Sequence, residues 1–556
     1  MRKLSMFAFV AATAITLSAQ SVSRDLLHQP LEASWPSYSG DYSGRRFSAL
    51  AQINRTNVKT LTLAWTRRLV AGPGPAGPTL PGEPPVIVGG EGTAVYGGAT
   101  TVKGSILAVD GVLYVTAPDN VWALDAHDGH LLWRYVWRTK GGTHIGNRGA
   151  GINRGSLFFV TPDNYLISLD ARTGTERWRK EIASFQQQYF HTMAPVVIDN
   201  HVLVGSSNDL DMPGFLQSFD PVTGDLQWKW YATPQKQGDP GLETWKSLDA
   251  AIHGGGHPWV PGAYDPDTRL YIVGTGNPTP AYTSAPRGEG LDNLFTCALV
   301  AIHVDTGKMA WYYQTSPHDT HDWDSAQTPV LIDGLFNGRQ RKLAATAARN
   351  GYFFVVDRRT GEHLLTTKFS DTANWARPEL NAKGQPVRIP EKDHHVSGAL
   401  VSAANQGAAN WPPAAFSPQT GLLYVPTAET YALYYLTESD PRGALGLGGK
   451  EERSVGTIGS YLTAIDYKTG KIAWKRKYRT AANTGLAAGI LTTAGGLLFA
   501  GDVSGNVVAY DPANGTPLWH TQLGANATNA PQTYTVGGKQ YVLVAAGDTL
   551  YAFSLY

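Results

Sequence analysis

A short motif repeated along the chain limits its possible folds more than anything else in the sequence. It runs apolar residue, usually an Asp, two variable residues, a Thr, Asn or Asp, a Gly, and a Trp a few residues on. Copies read ALDAHDGHLLW ending at Trp133, SLDARTGTERW at Trp178, SFDPVTGDLQW at Trp228, AIHVDTGKMAW at Trp311, AIDYKTGKIAW at Trp474 and AYDPANGTPLW at Trp519. VVDRRTGEHLL, with Asp357 to Leu365, keeps the turn without the Trp, and LTLAWTRRL around Trp65 has the Trp without the turn. Each copy has the chemistry of a β-hairpin corner: Gly supplies positive φ, the Asp and Thr side chains satisfy turn amides, and the Trp lies half buried between sheets. One such unit cannot bury both faces of its own small sheet, so neighbours must stack and the ring must close. Neighbouring corners lie about 45 to 55 residues apart, the length of a four-stranded propeller blade. The reading is an all-β propeller, with eight units if Trp65 and the degenerate copy are counted; seven fits the periodicity as well. Two longer intervals, Gly224 to Gly307 and Gly361 to Gly470, hold the most unusual residues, as insertions at a functional face do.

Composition supports many short strands. Gly 61 and Pro 34 stand beside 26 Tyr and 16 Trp. The net charge of +1 is spread over both signs, with none of the basic stripe that nucleic-acid phosphates require, so nucleic acid is not an expected partner. Arg2 and Lys3 precede an apolar run from Met6 to about Leu17 and small residues at Ser18 and Ala19, which reads as an export signal over residues 1–20. A membrane anchor would need roughly 20 apolar residues, so no span is expected after cleavage. Residues 21–556 are then one propeller domain. The single cysteine, Cys297, excludes an intramolecular disulfide and a C-x-x-C-H haem site, so electrons would have to leave to another protein.

The segment WPSYSGDYSGRRFSALAQINRTNVKTLTLAW, Trp35 to Trp65, resembles the N-terminal signature of the pyrroloquinoline-quinone-dependent alcohol dehydrogenases. GGGHPWVPGAYDPDTRLYIVGTGNP, Gly254 to Pro278, is similar to that family's other signature, and the likeness runs through essentially all of the mature chain. The resemblance implies an eight-bladed β-propeller with the quinone near its axis, stacked on a Trp and next to a metal ion. The quinone carries three carboxylates, so its pocket must offer cations and hydrogen-bond donors.

SPHDTHDWDSAQTP, Ser316 to Pro329, crowds three acids and two histidines into a few positions after a corner. The alternation Asp322-Trp323-Asp324 puts both carboxylates on one side of an extended strand. With no basic partner between them in sequence, they favour a bound cation; a solvated acidic loop is the plain alternative. The resemblance places the catalytic base on Asp322, with Arg349 near it and near the reactive quinone oxygen. An acid at Asp324 is similar to the lanthanide-using members, with calcium as the alternative. Asn277 in GTGNP matches the family's amide ligand, and GSSNDLDMPG offers Asp209 as a further ligand, with Asp211 in competition. Trp259 in HPWVPG matches the stacking floor. Arg154 in GINRG, Thr192 in HTMAP, Ser207 in GSS, Arg349 in AARNG and Asn410 in ANWPP match positions that hydrogen-bond the quinone, though each also suits an ordinary turn or inter-blade role. Adjacent cysteines that many methanol-oxidising relatives carry are absent from HIGNRGAGINRG, where Arg148 and Gly149 stand instead. An aromatic expected before TTAGGLLFAG is absent too, which implies a roomier pocket. His318, His321, His144, His253 and His257 lack the spacing of a zinc site.

These readings add up to an expected function. The chain would be a periplasmic dehydrogenase that oxidises a primary alcohol with pyrroloquinoline quinone and one metal ion, passing electrons to an external cytochrome c or similar acceptor. A sugar or polyol dehydrogenase and a non-catalytic envelope scaffold are the alternatives.

Overall fold

A computed structural model describes residues 31–70, 101–139, 146–436, 450–478, 488–502 and 504–556. The expected export signal, residues 1–20, lies outside them. Strands dominate, as the turn-rich composition requires. Among the described residues the α-helix Leu248–Ile252 is five residues long, and no helix is long and apolar enough to cross a membrane.

Among the described residues the strands form six four-stranded sheets, two five-stranded sheets and one two-stranded ribbon, Ala376–Leu380 with Pro386–Arg388. We number the larger sheets I to VIII in chain order. Sheet I holds Leu107–Val109, Val112–Ala117, Asn120–Asp125 and Leu131–Val136, and sheet II holds Gly151–Asn153, Ser156–Val160, Tyr165–Asp170 and Glu176–Glu181. Sheet III holds Val196–Ile198, His201–Gly205, Phe215–Phe219 and Leu226–Tyr231, and sheet IV holds Ala263–Asp265, Leu270–Gly274, Ala298–His303 and Met309–Gln314. Sheet V runs from Val330–Phe336 through Arg339–Ala347 and Tyr352–Asp357 to His363–Lys368. Sheet VI is built on the long hairpin Leu422–Leu436 and Lys450–Asp466, with Ala399–Val401, Ala415–Ser417 and Ile472–Lys477. Sheet VII joins Ile490–Thr493, Leu497–Gly501, Asn506–Tyr510 and Pro517–Gln522 to the parallel piece Phe47–Ser48.

Sheet VIII explains the isolated Trp65 copy. Its outer strand, Leu61–Arg68, pairs antiparallel with Thr549–Leu555, beside Lys539–Ala546 and Gln532–Val536. The motif has no turn before it because its sheet partners come from the other end of the chain. Apolar clusters join each sheet to the next in order, and one cluster joins VII and VIII to I, giving a propeller-like arrangement.

The repeated corner fixes this stacking. At Gly174, φ is +71° and an added Cβ would lie 2.5 Å from the Trp133 ring of the preceding sheet; at Gly224 it would lie 2.8 Å from Trp178. The Trp133 indole donates to the Ala171 carbonyl at 3.1 Å, and Trp228, Trp311, Trp474 and Trp519 donate likewise to Val304, Arg358, Pro512 and Leu61. An indole thus covers a bare Cα and caps a carbonyl at once, which is why Gly and Trp recur together. Where the motif lacks its Trp, Thr367 fills the place beside Gly470 and donates to its carbonyl at 3.0 Å.

Residues 35–48 run across the innermost strands. Trp35 bonds Ala108 of sheet I, and the carbonyls of Tyr42, Ser43, Arg45 and Arg46 accept from Tyr264, Leu331, Phe416 and Thr492 of sheets IV to VII. The fully buried Arg46 guanidinium donates to the carbonyls of Ile490, Tyr38 and Pro531 and lies 4.8 Å over the Trp35 ring.

Candidate active site

A four-stranded antiparallel sheet puts its first and third connections at one end and its second connection, with the link to the next sheet, at the other. The Gly corners occupy the first end, and the Ala171 amide bonds the Gly155 carbonyl of the first turn of sheet II there. Nearly all the chemistry is carried at the opposite end. Arg148, Thr192, Trp259 and the pair Asp322 and Asp324 lie on links between sheets I to V, and Ser207, Asp209, Asn277 and Arg349 on second connections of sheets III, IV and V. Asn410 lies between two strands of sheet VI.

Two of these loops are stitched together by their backbones. The Gly256 amide donates to the Asn277 carbonyl and the Gly276 amide to the His257 carbonyl, both at 2.9 Å. Trp259 and Asn277 therefore meet at one carboxylate: the Trp259 indole N–H donates to Asp324 Oδ2 at 2.7 Å, and the Asn277 amide to Asp324 Oδ1 at 2.5 Å. Gly276 permits this approach, since a Cβ there would lie 3.2 Å from the same Oδ1.

Arg349 joins the two acids. Its Nη1 lies 2.8 Å from Asp324 Oδ2 and its Nη2 3.4 Å from Asp322 Oδ2, and Nη2 also donates to the Asn405 carbonyl. The expectation that no base stands between the acids is corrected here: Arg349 does, brought in by the fold from a distant stretch. The route to this geometry also differs from an alternating strand. Asp322 sits in an irregular loop at φ +65°, beside Trp323, which is 1 % exposed.

Negative charge outweighs positive in this cluster. Burial pushes the Asp322 carboxyl well above the usual carboxylate range; Arg349 opposes this, and the neighbouring charges of Asp324, Asp319 and Asp209 add to it. Asp324 is raised more moderately, by burial, because Arg349 and the donors Trp259 and Asn277 favour its ionised form. Asp209 is close enough for its charge to reach Asp322 and His257, whereas Asp211 lines a separate cleft with His253 and Arg287. The carboxylates of Asp322, Asp324 and Asp209 and the side-chain oxygen of Asn277 are the kind of donor a hard cation takes, and the excess of carboxylates is the charge such a cation would balance. Among the described residues, the set of three acid or histidine groups whose ligand atoms all lie within 4.8 Å of one another is Asp125, Asp128 and His130, at a corner.

The surroundings also suit a flat anion. The Arg148 guanidinium lies 4.5 Å from the Trp259 ring centroid and 5.0 Å from that of Trp411, and its own backbone donates to the Thr192 carbonyl and accepts from the Ser105 amide. Ser207 Oγ is buried without a hydrogen-bond partner among the described residues, an arrangement that a bound acceptor or donor would relieve. Thr192 Oγ1 donates to the Trp259 carbonyl at 3.3 Å. Asn410 is committed to its own loop: Nδ2 donates to the Gln406 carbonyl and Oδ1 accepts from the Trp411 amide.

Arg154 is not part of this cluster. It is exposed, at φ +47°, in the first turn of sheet II at the corner end. Asn-Arg-Gly occurs twice within a few residues, and the first copy, at Arg148, is the one over Trp259. The signal that separates them is local: the Arg154 copy stands between two short apolar stretches, GI and SLFFV, as a hairpin turn does.

Comparison with known proteins bears on this geometry. Residues 35–394 and 460–542 match the model of the PQQ family described as glucose/ethanol/alcohol dehydrogenase, beta-propeller domain. The chain is 31% identical over 579 residues to the quinohemoprotein alcohol dehydrogenase ADH IIB of Pseudomonas putida, covering 98% of this chain and 78% of that protein. It is 30% identical to the quinoprotein alcohol dehydrogenase PedH of Pseudomonas putida, covering 91% of this chain and 84% of that one. A europium-containing methanol dehydrogenase superposes with a TM-score of 0.83 at 27% identity, covering 96% of this chain and 99% of its own.

Proposed function

The chain belongs to the family of pyrroloquinoline-quinone-dependent alcohol dehydrogenases with a β-propeller domain, and we propose that it is an exported enzyme that oxidises a primary alcohol to the aldehyde with Asp322 as base. On this reading the eight larger sheets are the blades of one ring spanning residues 21–556, released from a signal at residues 1–20, and a periplasmic cytochrome c or similar protein accepts the electrons.

The observation that carries the proposal is the meeting of Trp259, Asn277, Asp324, Arg349 and Asp322, from four separate connections, through direct contacts at one end of the propeller. Pyrroloquinoline quinone, when bound, supplies a two-electron oxidant. Trp259 offers it a flat face, Arg148 and Arg349 offer cations, and Ser207 and Thr192 offer hydroxyls; Asn410 would first have to release its own loop. A metal ion held by Asp322, Asp324, Asn277 and Asp209 would act as a Lewis acid on an adjacent oxygen. Three carboxylates in that set favour a trivalent lanthanide, with calcium as the alternative.

Asp322 takes the proton from the substrate hydroxyl. Arg349 holds its carboxylate from one side and also touches Asp324, so the two acids keep a fixed spacing. Asp324, with three donors around it, stays the better ionised of the two and serves as ligand rather than base.

The test is reconstitution with the quinone and either calcium or lanthanum, followed by a panel of primary alcohols, aldoses and polyols with a dye acceptor. Primary alcohols should give the highest kcat/KM; a preference for sugars would move the enzyme to the polyol class. Asp322→Asn should lower kcat by roughly 10²–10⁴-fold with the quinone still bound. Full turnover in that variant would remove Asp322 from the role of base. Asp324→Ala should keep activity with calcium and lose it with lanthanum.

A further inference from the structure

We infer that Asp319, outside the proposed catalytic set, is the positioning residue that fixes the direction of the Asp322 carboxylate. Asp319 Oδ2 accepts from the Asp322 amide at 2.9 Å and from the Trp323 amide at 3.1 Å. That pair of bonds closes a tight turn through Asp322, whose φ of +65° an L residue adopts only when surrounding contacts impose it. Every other residue of the turn is anchored elsewhere. The Asp319 carbonyl accepts from buried Arg287, whose Nε donates to the Pro280 carbonyl at 2.9 Å. Thr320 Oγ1 donates to Asp393 at 3.0 Å, His321 Nε2 donates to the Lys392 carbonyl at 2.8 Å, and Trp323 stacks on His321 at 4.3 Å. Asp322 alone has its side chain turned to Arg349.

The acceptor oxygen is what the turn uses. Asp319 Oδ1 is buried without a hydrogen-bond partner among the described residues, so the pair of amides on Oδ2 is the bonding that ties this carboxylate to the site. An amide at this position keeps an oxygen that can take both amides, and a methyl group keeps none. Asp319 touches neither Arg349 nor Asp324 through a hydrogen bond in the structure, so beside the negative charge that it adds to the cluster it acts on the direction of the Asp322 carboxylate through the backbone of Asp322.

The inference rests on Asp322 being the base, and its test separates the two claims. Asp319→Ala and Asp319→Asn are made in the full chain, their crystal structures are solved without cofactor, and the quinone- and metal-reconstituted enzymes are assayed beside Asp322→Asn. In Asp319→Ala, Asp322 should leave the left-handed region and its carboxylate should leave Arg349. Its kcat should fall roughly 100-fold, the scale of a displacement of about 1 Å at a reacting group, while quinone affinity, read by tryptophan quenching, stays within about threefold of wild type on the same estimate. Asp319→Asn should keep Asp322 in place and restore kcat to near the parent value. Asp322 unmoved in Asp319→Ala, or displaced in Asp319→Asn, overturns the inference. If Asp319→Ala fails to fold, the Asp319→Asn structure alone decides in the same way. Full turnover of Asp322→Asn with Asp322 displaced in Asp319→Ala would instead sink the base assignment and leave the positioning standing.

Discussion

Replacing Arg349 with Met leaves two buried acids without the cation they share. The Nη1 contact to Asp324 is 2.8 Å long with both side chains about 5 % exposed, and the Nη2 contact to Asp322 is 3.4 Å. Breaking a buried pair by removing one partner costs about 3–5 kcal/mol. Asp324 keeps its donors from Trp259 and Asn277, so the loss falls mainly on Asp322. That carboxyl, already raised by burial, escapes by taking up a proton. The folded variant then binds more protons than the unfolded chain above the ordinary carboxylate range, so its stability rises as pH falls, by up to about 1.4 kcal/mol per unit for one proton. We therefore expect Arg349→Met to lose about 3–5 kcal/mol at pH 8 and distinctly less at pH 6. Urea unfolding followed by tryptophan fluorescence in the presence of a chelator measures both. A variant as stable as the parent at pH 8, or a loss that does not change with pH, would refute the reasoning about shared charge.

Four further outcomes follow from the structure. Gly174→Ala places a Cβ against Trp133 at a left-handed φ, and should destabilise the protein by about 2–4 kcal/mol in urea titration, the sum of backbone strain and overpacking. His191 is buried, which lowers its pKa to about 3, so the unfolded chain takes up its proton first, from the ordinary histidine value of 6.5 downwards. Its depressed pKa makes the parent lose stability as pH falls, and His191→Gln should gain on the parent by roughly 1 kcal/mol between pH 6 and pH 5. Ser207→Ala removes an unpartnered buried hydroxyl, so the empty protein should be unchanged or up to about 1 kcal/mol more stable, while quinone affinity, read by fluorescence titration, should weaken. Arg148→Ala should weaken it too, and Arg154→Ala should leave it unchanged.

How much of this was legible in the sequence depends on how local each feature is. The corners were readable because Gly, Asp and Trp act within a few residues of each other. The membership of sheet VIII was not, since Leu61–Arg68 finds its partner strand at Thr549–Leu555. Asp322, Asp324, Asn277 and Trp259 could be picked from family likeness; in the structure the Trp259 indole and the Asn277 backbone amide both donate to Asp324, and Arg349 bridges Asp324 to Asp322. Family likeness also puts Arg349 near Asp322, but its closer contact with Asp324 leaves no local pattern, because a salt bridge between loops is not written along either segment. Arg148 is legible as the residue that replaces the absent cysteines at the top of the pocket, whereas Arg154 is misplaced because one tripeptide occurs in two structural settings. Asp319 looked like one more acid in a crowded loop; only the left-handed backbone of Asp322 reveals what its oxygen does.

The central claim is that the oxygens of Asp322, Asp324 and Asn277 share one cation beside the face of Trp259. Anomalous diffraction from crystals of the enzyme loaded with quinone and a lanthanide tests it directly. The account predicts a single strong peak within about 2.3–2.6 Å of those three side chains. A peak at the Asp125, Asp128 and His130 corner, with the three site residues free of metal, would contradict it.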